Sequence, residues 1–176
     1  MSHCLVAGSY DPFTNGHAIM VKQALKLFER VDVIVAANPA KKYYLGTGER
    51  VSLVQRVLVD EIPNDYSRVQ VVALGADFLV NHAADVGATH IVRGLRNGMD
   101  FEYEHNMQVI NQDINPDIAT VYVSCPPDLQ RVSSSMVKGL IGYPGWEKQV
   151  GKYVNEIVLK ALIQQHISNQ IMRSVR

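Results

Sequence analysis

The stretch "CLVAGSYDPFTNGHAIMVKQALKLF", residues 4–28, carries the pattern on which the architecture is built. It opens on a short apolar run, then spends residues 8–17 on two glycines, a proline, hydroxyls and a histidine, and continues with helical spacing. In residues 17–29, Ile19, Met20, Ala24, Leu27 and Phe28 are expected to share one apolar face, with Lys22, Gln23, Lys26 and Glu29 largely opposite. The pattern predicts a strand, a chemically loaded turn and an amphipathic helix.

The same alternation recurs along the chain. Apolar, β-rich runs stand at 3–8, 31–37, 69–75, 89–94 and 118–125, and helical stretches start near Gly48, Asp77, Met99 and Ser134. The runs are continuous rather than alternating, as in strands covered on both faces. Five strand-then-helix units joined by right-handed crossovers give an α/β fold: a doubly wound, open, parallel five-stranded sheet, Rossmann-like, with C-terminal helices. The order is expected to be 3-2-1-4-5. Residues 1–166 read as one domain. The segment "GYPGWEKQVG" reads as a loop or short turn, "KYVNEIVLKALIQQHI" as a last helix, and 167–176 as a frayed tail.

Composition narrows the function. Seventeen basic and seventeen acidic residues give a formal net charge of +0, so no global field draws in nucleic acid or anionic lipid, and an anion site must be local. The apolar runs are too short to span a bilayer and the first residues lack the pattern of a signal peptide, which reads as a cytoplasmic protein. Cys4 and Cys125 form no CxxC pair and suggest neither a metal site nor a disulfide framework.

In an open sheet of this order, ligands bind beyond the carboxyl ends of the strands where the order reverses, between strands one and four. The loops there are "GSYDPFTNGH" (8–17) and "RGLRNGMDFEYE" (93–104). Gly8 is expected to turn the backbone tightly off the strand, Pro12 to stiffen the loop, and Thr14 or Asn15 to cap the helix. Gly16 leaves room beside the helical N–H groups for an anion that His17 can reach. On the motif alone, a capping loop with an exposed histidine is an equal reading.

Other residues carry similar pairs of readings. Arg93 and Arg96 suit a phosphate, or a salt bridge to Asp100, Glu102 or Glu104. Lys41 and Lys42, after Pro39, can reach over the crevice or simply stay solvated. Ser133, Ser134 and Ser135 open a helix, as a cap or as donors to a polyphosphate. "GTGER" (46–50) lacks P-loop spacing and reads as a turn into a helix.

The motifs taken together resemble a known family. "GSYDPFTNGH" is similar to the T/HxGH motif of the nucleotidylyltransferase superfamily. With it, "NPAKK", "ERV", "ADFLVN", "RGLRNGMDFEYE" and "VSSSMVK", in order over residues 3–165, resemble the phosphopantetheine adenylyltransferases. The resemblance implies an enzyme that transfers the adenylyl group of ATP to 4′-phosphopantetheine, giving dephospho-coenzyme A and pyrophosphate. It implies His17 at the α-phosphate, and Lys41 with Arg93 at the acceptor phosphate. Ser9, Tyr10, His17, Gly94, Leu95, Arg96, Glu104, Leu129, Gln130, Arg131, Val132, Ser133, Ser134 and Ser135 would hold ATP. Ser9 and Leu79 would join Lys41 and Arg93 on the acceptor side. Mg²⁺ would accompany ATP without protein ligands, and the assembly would be a homohexamer.

Three departures accompany the likeness. Ser9 replaces the family's usual Thr, Leu129-Gln130-Arg131 replaces the commoner Trp-Ser-Phe, and the tail beyond about 166 lacks a counterpart. Two alternatives remain at this point. Nicotinamide-mononucleotide adenylyltransferases share TxGH but usually carry "ISSTxxR", where this chain has "SSSMVKG". The other is a nucleotide-binding homologue without turnover, against which the presence of His17, Lys41, Arg93 and Arg96 argues.

Overall fold

The computed structural model describes residues 1–38 and 41–174. Five strands, β1 (His3–Gly8), β2 (Arg30–Ala36), β3 (Val69–Leu74), β4 (His90–Leu95) and β5 (Ala119–Ser124), form one sheet of order β3-β2-β1-β4-β5 with every pair parallel. The helices between them are α1 (Asn15–Leu27), α2 (Thr47–Glu61), α3 (Leu79–Asp85) and α4 (Gly98–Ile114). After β5 follow α5 (Ser134–Leu140), α6 (Trp146–Val150) and α7 (Glu156–Ser174). Strand order and strand positions agree with the expectation from the sequence.

Alternate residues of each central strand feed opposite cores, which is why the strands read as continuous apolar runs. Cys4 and Val6 of β1 pack with Val31, Val33 and Val35 against α1, α2 and the C-terminal helices, whereas Leu5, Ile34 and Ile91 pack against Val80 and Ala83 of α3. Burial pushes the Cys4 thiol up to about 12, so it behaves as a small apolar side chain.

Along β1 and β4 the pairing runs only from Cys4↔His90 to Val6↔Val92, while β1 stays paired to β2 as far as Gly8↔Val35. The sheet therefore forks at its carboxyl edge. Arg93 enters the fork and its Nη1 donates to the Ala7 carbonyl at 2.9 Å, the acceptor a longer ladder would have used.

Several local expectations need correcting. The buried face of α1 is Ala18, Val21, Ala24 and Leu25, with Phe28 just beyond; Leu27 is 57% exposed and Ile19 and Met20 are half-buried. Both stripes have helical spacing, and only the position of the sheet chooses between them. Gly8 does not supply the turn, because the left-handed residue is Tyr10, at φ 48°. What Gly8 supplies is space: a Cβ there would lie 2.7 Å from Cε1 of the Tyr10 ring.

At the far end, α7 continues to Ser174 where a frayed tail was expected from 167. No Gly or Pro interrupts Glu156–Ser174, so the helix propagates from its packed first half without further tertiary support. The "GYPGWEKQVG" segment holds the short helix α6 rather than loop alone.

The two crowded glycines make a graded prediction. Gly8→Ala drives a methyl into the buried Tyr10 ring and should cost about 1–3 kcal/mol. Gly94→Ala meets Met20 Sδ at 2.7 Å, but that thioether can swing away, so the loss should be smaller. Urea unfolding of both variants measures the order, and equal losses would contradict it.

Candidate active site

His17 is fixed by the cap of its own helix. Thr14 precedes α1, and its backbone N–H donates to His17 Nδ1 at 2.9 Å, with the Thr14 hydroxyl 3.0 Å from the same nitrogen. This is the reciprocal half of a capping box, made by imidazole rather than by a carboxylate. A backbone N–H can only donate, so Nδ1 is the acceptor and the neutral ring carries its proton on Nε2. The ring stacks on Phe13 at 5.5 Å and meets the Tyr10 edge at 5.0 Å. Burial first, and the Arg96 cation second, lower its pKa to about 4. His17 is thus a neutral hydrogen-bond donor, oriented before any ligand arrives.

Around it lies a cavity of about 290 Å³ at the β1/β4 fork. Gly8, Thr14, Gly16 and His17 form one wall, Arg93, Gly94 and Arg96 with Asp100 and Glu104 a second, and Val132 to Ser135 a third. A second cavity of about 570 Å³ holds Ser9, Asn38, Lys41, Leu79 and Asp77, with Met107 and Asn111 of α4 opposite. The two cavities share Ala7, Gly8 and Arg93. Two pockets thus meet at the fork, with one guanidinium on both.

The arginines are already committed to carboxylates. Arg93 Nε donates to Glu104 Oε2 at 2.6 Å, while its Nη2 has no partner among the described residues. Arg96 grips Asp100 with two donors, Nε to Oδ2 at 2.8 Å and Nη2 to Oδ1 at 3.0 Å. That pair raises the Arg96 pKa and holds the Asp100 carboxyl below its usual range. Both salt bridges weighed in the sequence reading are present, and both arginines nevertheless line the cavity. The carboxylates hold planar forks at the fork's edge and leave some donors for an anion.

The serines divide their tasks. Ser133 caps α5, its Oγ accepting from Met136 N at 3.0 Å, and Ser134 Oγ donates to the Pro12 carbonyl at 2.9 Å, pinning α5 to the loop before α1. Ser135 is exposed at the cavity wall.

Not every expected residue arrives in the expected place. Ser9 lines the second cavity and not the first. Tyr10 lines the first but is 2% exposed, its hydroxyl donating to the Val6 carbonyl at 2.9 Å, so what it supplies is a wall for His17. Leu95, Leu129, Gln130 and Arg131 are not among the residues lining either cavity; Gln130 and Arg131 are exposed, because the single 3-10 turn Pro127–Leu129 carries the chain outward before Val132 turns back in. Of "NPAKK", Pro39 and Ala40 lie outside the described residues.

Two buried ionic residues behind the site escaped the sequence reading. Arg50, read only as part of a turn into a helix, is fully buried in the first turn of α2. Its Nη1 donates to the Ser9 and Ala36 carbonyls and Nη2 to Thr47 Oγ1, and the guanidinium sits 4.0 Å above the Tyr43 ring. It thereby ties the ends of β1 and β2 together behind the site. Asp11, inside the opening motif, is 1% exposed. Apart from Thr47, their hydrogen-bond partners lie 14 to 127 residues away, so local spacing carries little signal of them.

A family model described as cytidylyltransferase-like matches residues 5–140. Fold and fork together define a protein of that nucleotidyltransferase class. The chain is 41% identical over 166 residues to the phosphopantetheine adenylyltransferase of Chromobacterium violaceum, covering 94% of this chain and 98% of that one. To the phosphopantetheine adenylyltransferase of Streptococcus uberis it is 37% identical, over 94% and 95% of the two chains. The chain belongs to the phosphopantetheine adenylyltransferase family. A solved structure of Plasmodium falciparum nicotinic acid mononucleotide adenylyltransferase complexed with NaAD shares the fold at a TM-score of 0.72, covering 93% of this chain and 95% of that one at 12% identity.

The state of His17 is directly measurable. Above about pH 6.5 the ring is neutral in folded and unfolded chains alike; between about 6.5 and about 4 the unfolded chain takes up a proton the folded one refuses. Stability should therefore fall as pH drops through that window. Nitrogen-15 NMR should show an Nε2–H imidazole titrating near pH 4, and a titration near 6.5 would contradict the burial argument.

Proposed function

We propose that this chain transfers the adenylyl group of ATP to 4′-phosphopantetheine, releasing dephospho-coenzyme A and pyrophosphate. The observation that carries the reading is the meeting of two cavities at Gly8 and Arg93, one beside His17 and one beside Lys41 and Leu79. A two-substrate reaction needs such a junction, and the curated relatives bear the name of this activity.

In this reading ATP occupies the first cavity, its phosphates facing Gly16, His17, Arg96 and the α5 start. The acceptor's phosphate lies at the junction near Lys41 and Arg93, with its arm along Leu79. An acceptor phosphate oxygen attacks the α-phosphorus and forms the new P–O bond, while the bond to the β-phosphate bridging oxygen breaks and pyrophosphate leaves. The nucleophile is already ionised, so no base is needed. His17 donates its Nε2–H to a non-bridging α-phosphate oxygen as negative charge builds there. Its low pKa and its occupied Nδ1 support a donor, not a proton acceptor.

Mg²⁺ enters this reading bound to ATP. The nearest carboxylates, Asp100 and Glu104, are taken by Arg96 and Arg93, so they do not suit a metal, and the steps above route nothing through a protein-held ion. Assembly into a homohexamer belongs to the same reading. It is supported by α4, which buries no residue and exposes Met99, Phe101, Tyr103, Val109 and Ile110. Among the described residues no helix is long and apolar enough to cross a membrane, and we assign the cytoplasm as the site of action.

Pyrophosphate release from ATP should occur with phosphopantetheine and not with nicotinamide mononucleotide; the reverse preference would favour the nicotinamide-mononucleotide alternative. His17→Ala should lower kcat by roughly 10²- to 10³-fold with ATP affinity changed much less. Rates measured from about pH 6 to pH 9 check this, since recovery at high pH would mark His17 as a base.

A further inference from the structure

Behind the two cavities lies a carboxylate that neither uses. The Asp11 side chain is 1% exposed, and its partners come from two other parts of the chain. Oδ1 accepts from Leu45 N at 2.9 Å, and Oδ2 accepts from Tyr44 N at 3.0 Å and from Lys138 Nζ at 2.8 Å. Tyr44 and Leu45 end the segment that carries Lys41 over the second cavity, and Lys138 sits on α5, whose first turn forms a wall of the first. Asp11 itself lies in the loop that ends at Thr14 and His17.

One buried anion thus joins the acceptor-side segment to the ATP-side helix across the His17 loop. Burying a carboxylate costs a large desolvation free energy, which these three charge-assisted bonds offset. If one partner moves, the remaining charge is left under-solvated, so the partners are driven to move together. Ser134 Oγ on the Pro12 carbonyl adds a second tie between α5 and the same loop, and that tie does not reach the acceptor side.

We infer that Asp11 is the positioning residue that couples the two half-sites: a shift of α5 when a nucleotide binds reaches the Tyr44 and Leu45 amides through Lys138 and Asp11. This rests on the assignment of ATP to the first cavity and the acceptor to the second. Asp11 touches neither substrate and acts only through the groups it holds.

Hydrogen exchange at the Tyr44 and Leu45 amides tests it, with α,β-methylene-ATP as the probe. In the intact chain the analogue should slow both amides about fivefold or more, the low end of ordinary coupling between sites. Lys138→Met, at a side chain one-third exposed, should abolish that response while α5 stays pinned by Ser134; Lys138→Arg should restore it. Asp11→Asn should speed exchange at both amides and remove the response. The KM for phosphopantetheine should rise about fivefold in Lys138→Met, which a loss of stability alone would not produce.

A wild-type response retained in Lys138→Met overturns the inference, as does the lack of any response in the intact chain. Should Asp11→Asn not fold, the two Lys138 variants decide. A chain whose amides respond but which turns over no phosphopantetheine keeps the coupling and loses the acceptor assignment. Turnover without any amide response does the opposite.

Discussion

The pairing of β1 with β4 stops at Val6↔Val92, and the rest of the site follows from that interruption. Beyond it two parallel strands diverge with unpaired backbone groups at their ends. Arg93 satisfies one, the Ala7 carbonyl, and in doing so brings a guanidinium to the floor of the fork. A continuous ladder would have left neither the cavity nor the reason for a cation there.

Charge in this site is arranged in opposed pairs. Arg93 with Glu104 and Arg96 with Asp100 keep the fork near neutrality while holding four side chains in fixed planes. In the proposed reaction a polyphosphate would take donors that are already oriented, instead of ordering flexible cations at the cost of their entropy. His17 follows the same logic in uncharged form. Its cap bond with Thr14 sets the tautomer, its aromatic neighbours set the plane, and burial with Arg96 keeps the ring unprotonated.

Behind these groups stands a frame of buried ions. Arg50 binds the ends of β1 and β2, and Asp11 binds the loops and the helix beyond them. Apolar packing could have filled the same volume, but it is not directional. Carbonyl, amide and ammonium partners at 2.8–3.0 Å fix where each loop sits, and the loops carry the residues that line the cavities.

The strands, the crossovers and the contents of the two loops at the fork are all legible in the order of residue types along the chain. These are written in local spacing: continuous β-branched runs, helical periodicity, and a turn rich in glycine, proline and hydroxyls before a helix. His17, Arg93, Arg96 and the Ser133–Ser135 start of α5 were legible for that reason. Tertiary structure alone decided which stripe of α1 faces the sheet, since Leu27 and Leu25 are equally apolar and only contact with β1 and β2 separates them. It also decided that Glu104 and not Glu102 takes Arg93, that Gln130 and Arg131 turn away, and that Asp11 finds Lys138 127 residues on. Such pairings depend on where the chain returns in space, and a linear pattern of residue types carries no record of that distance.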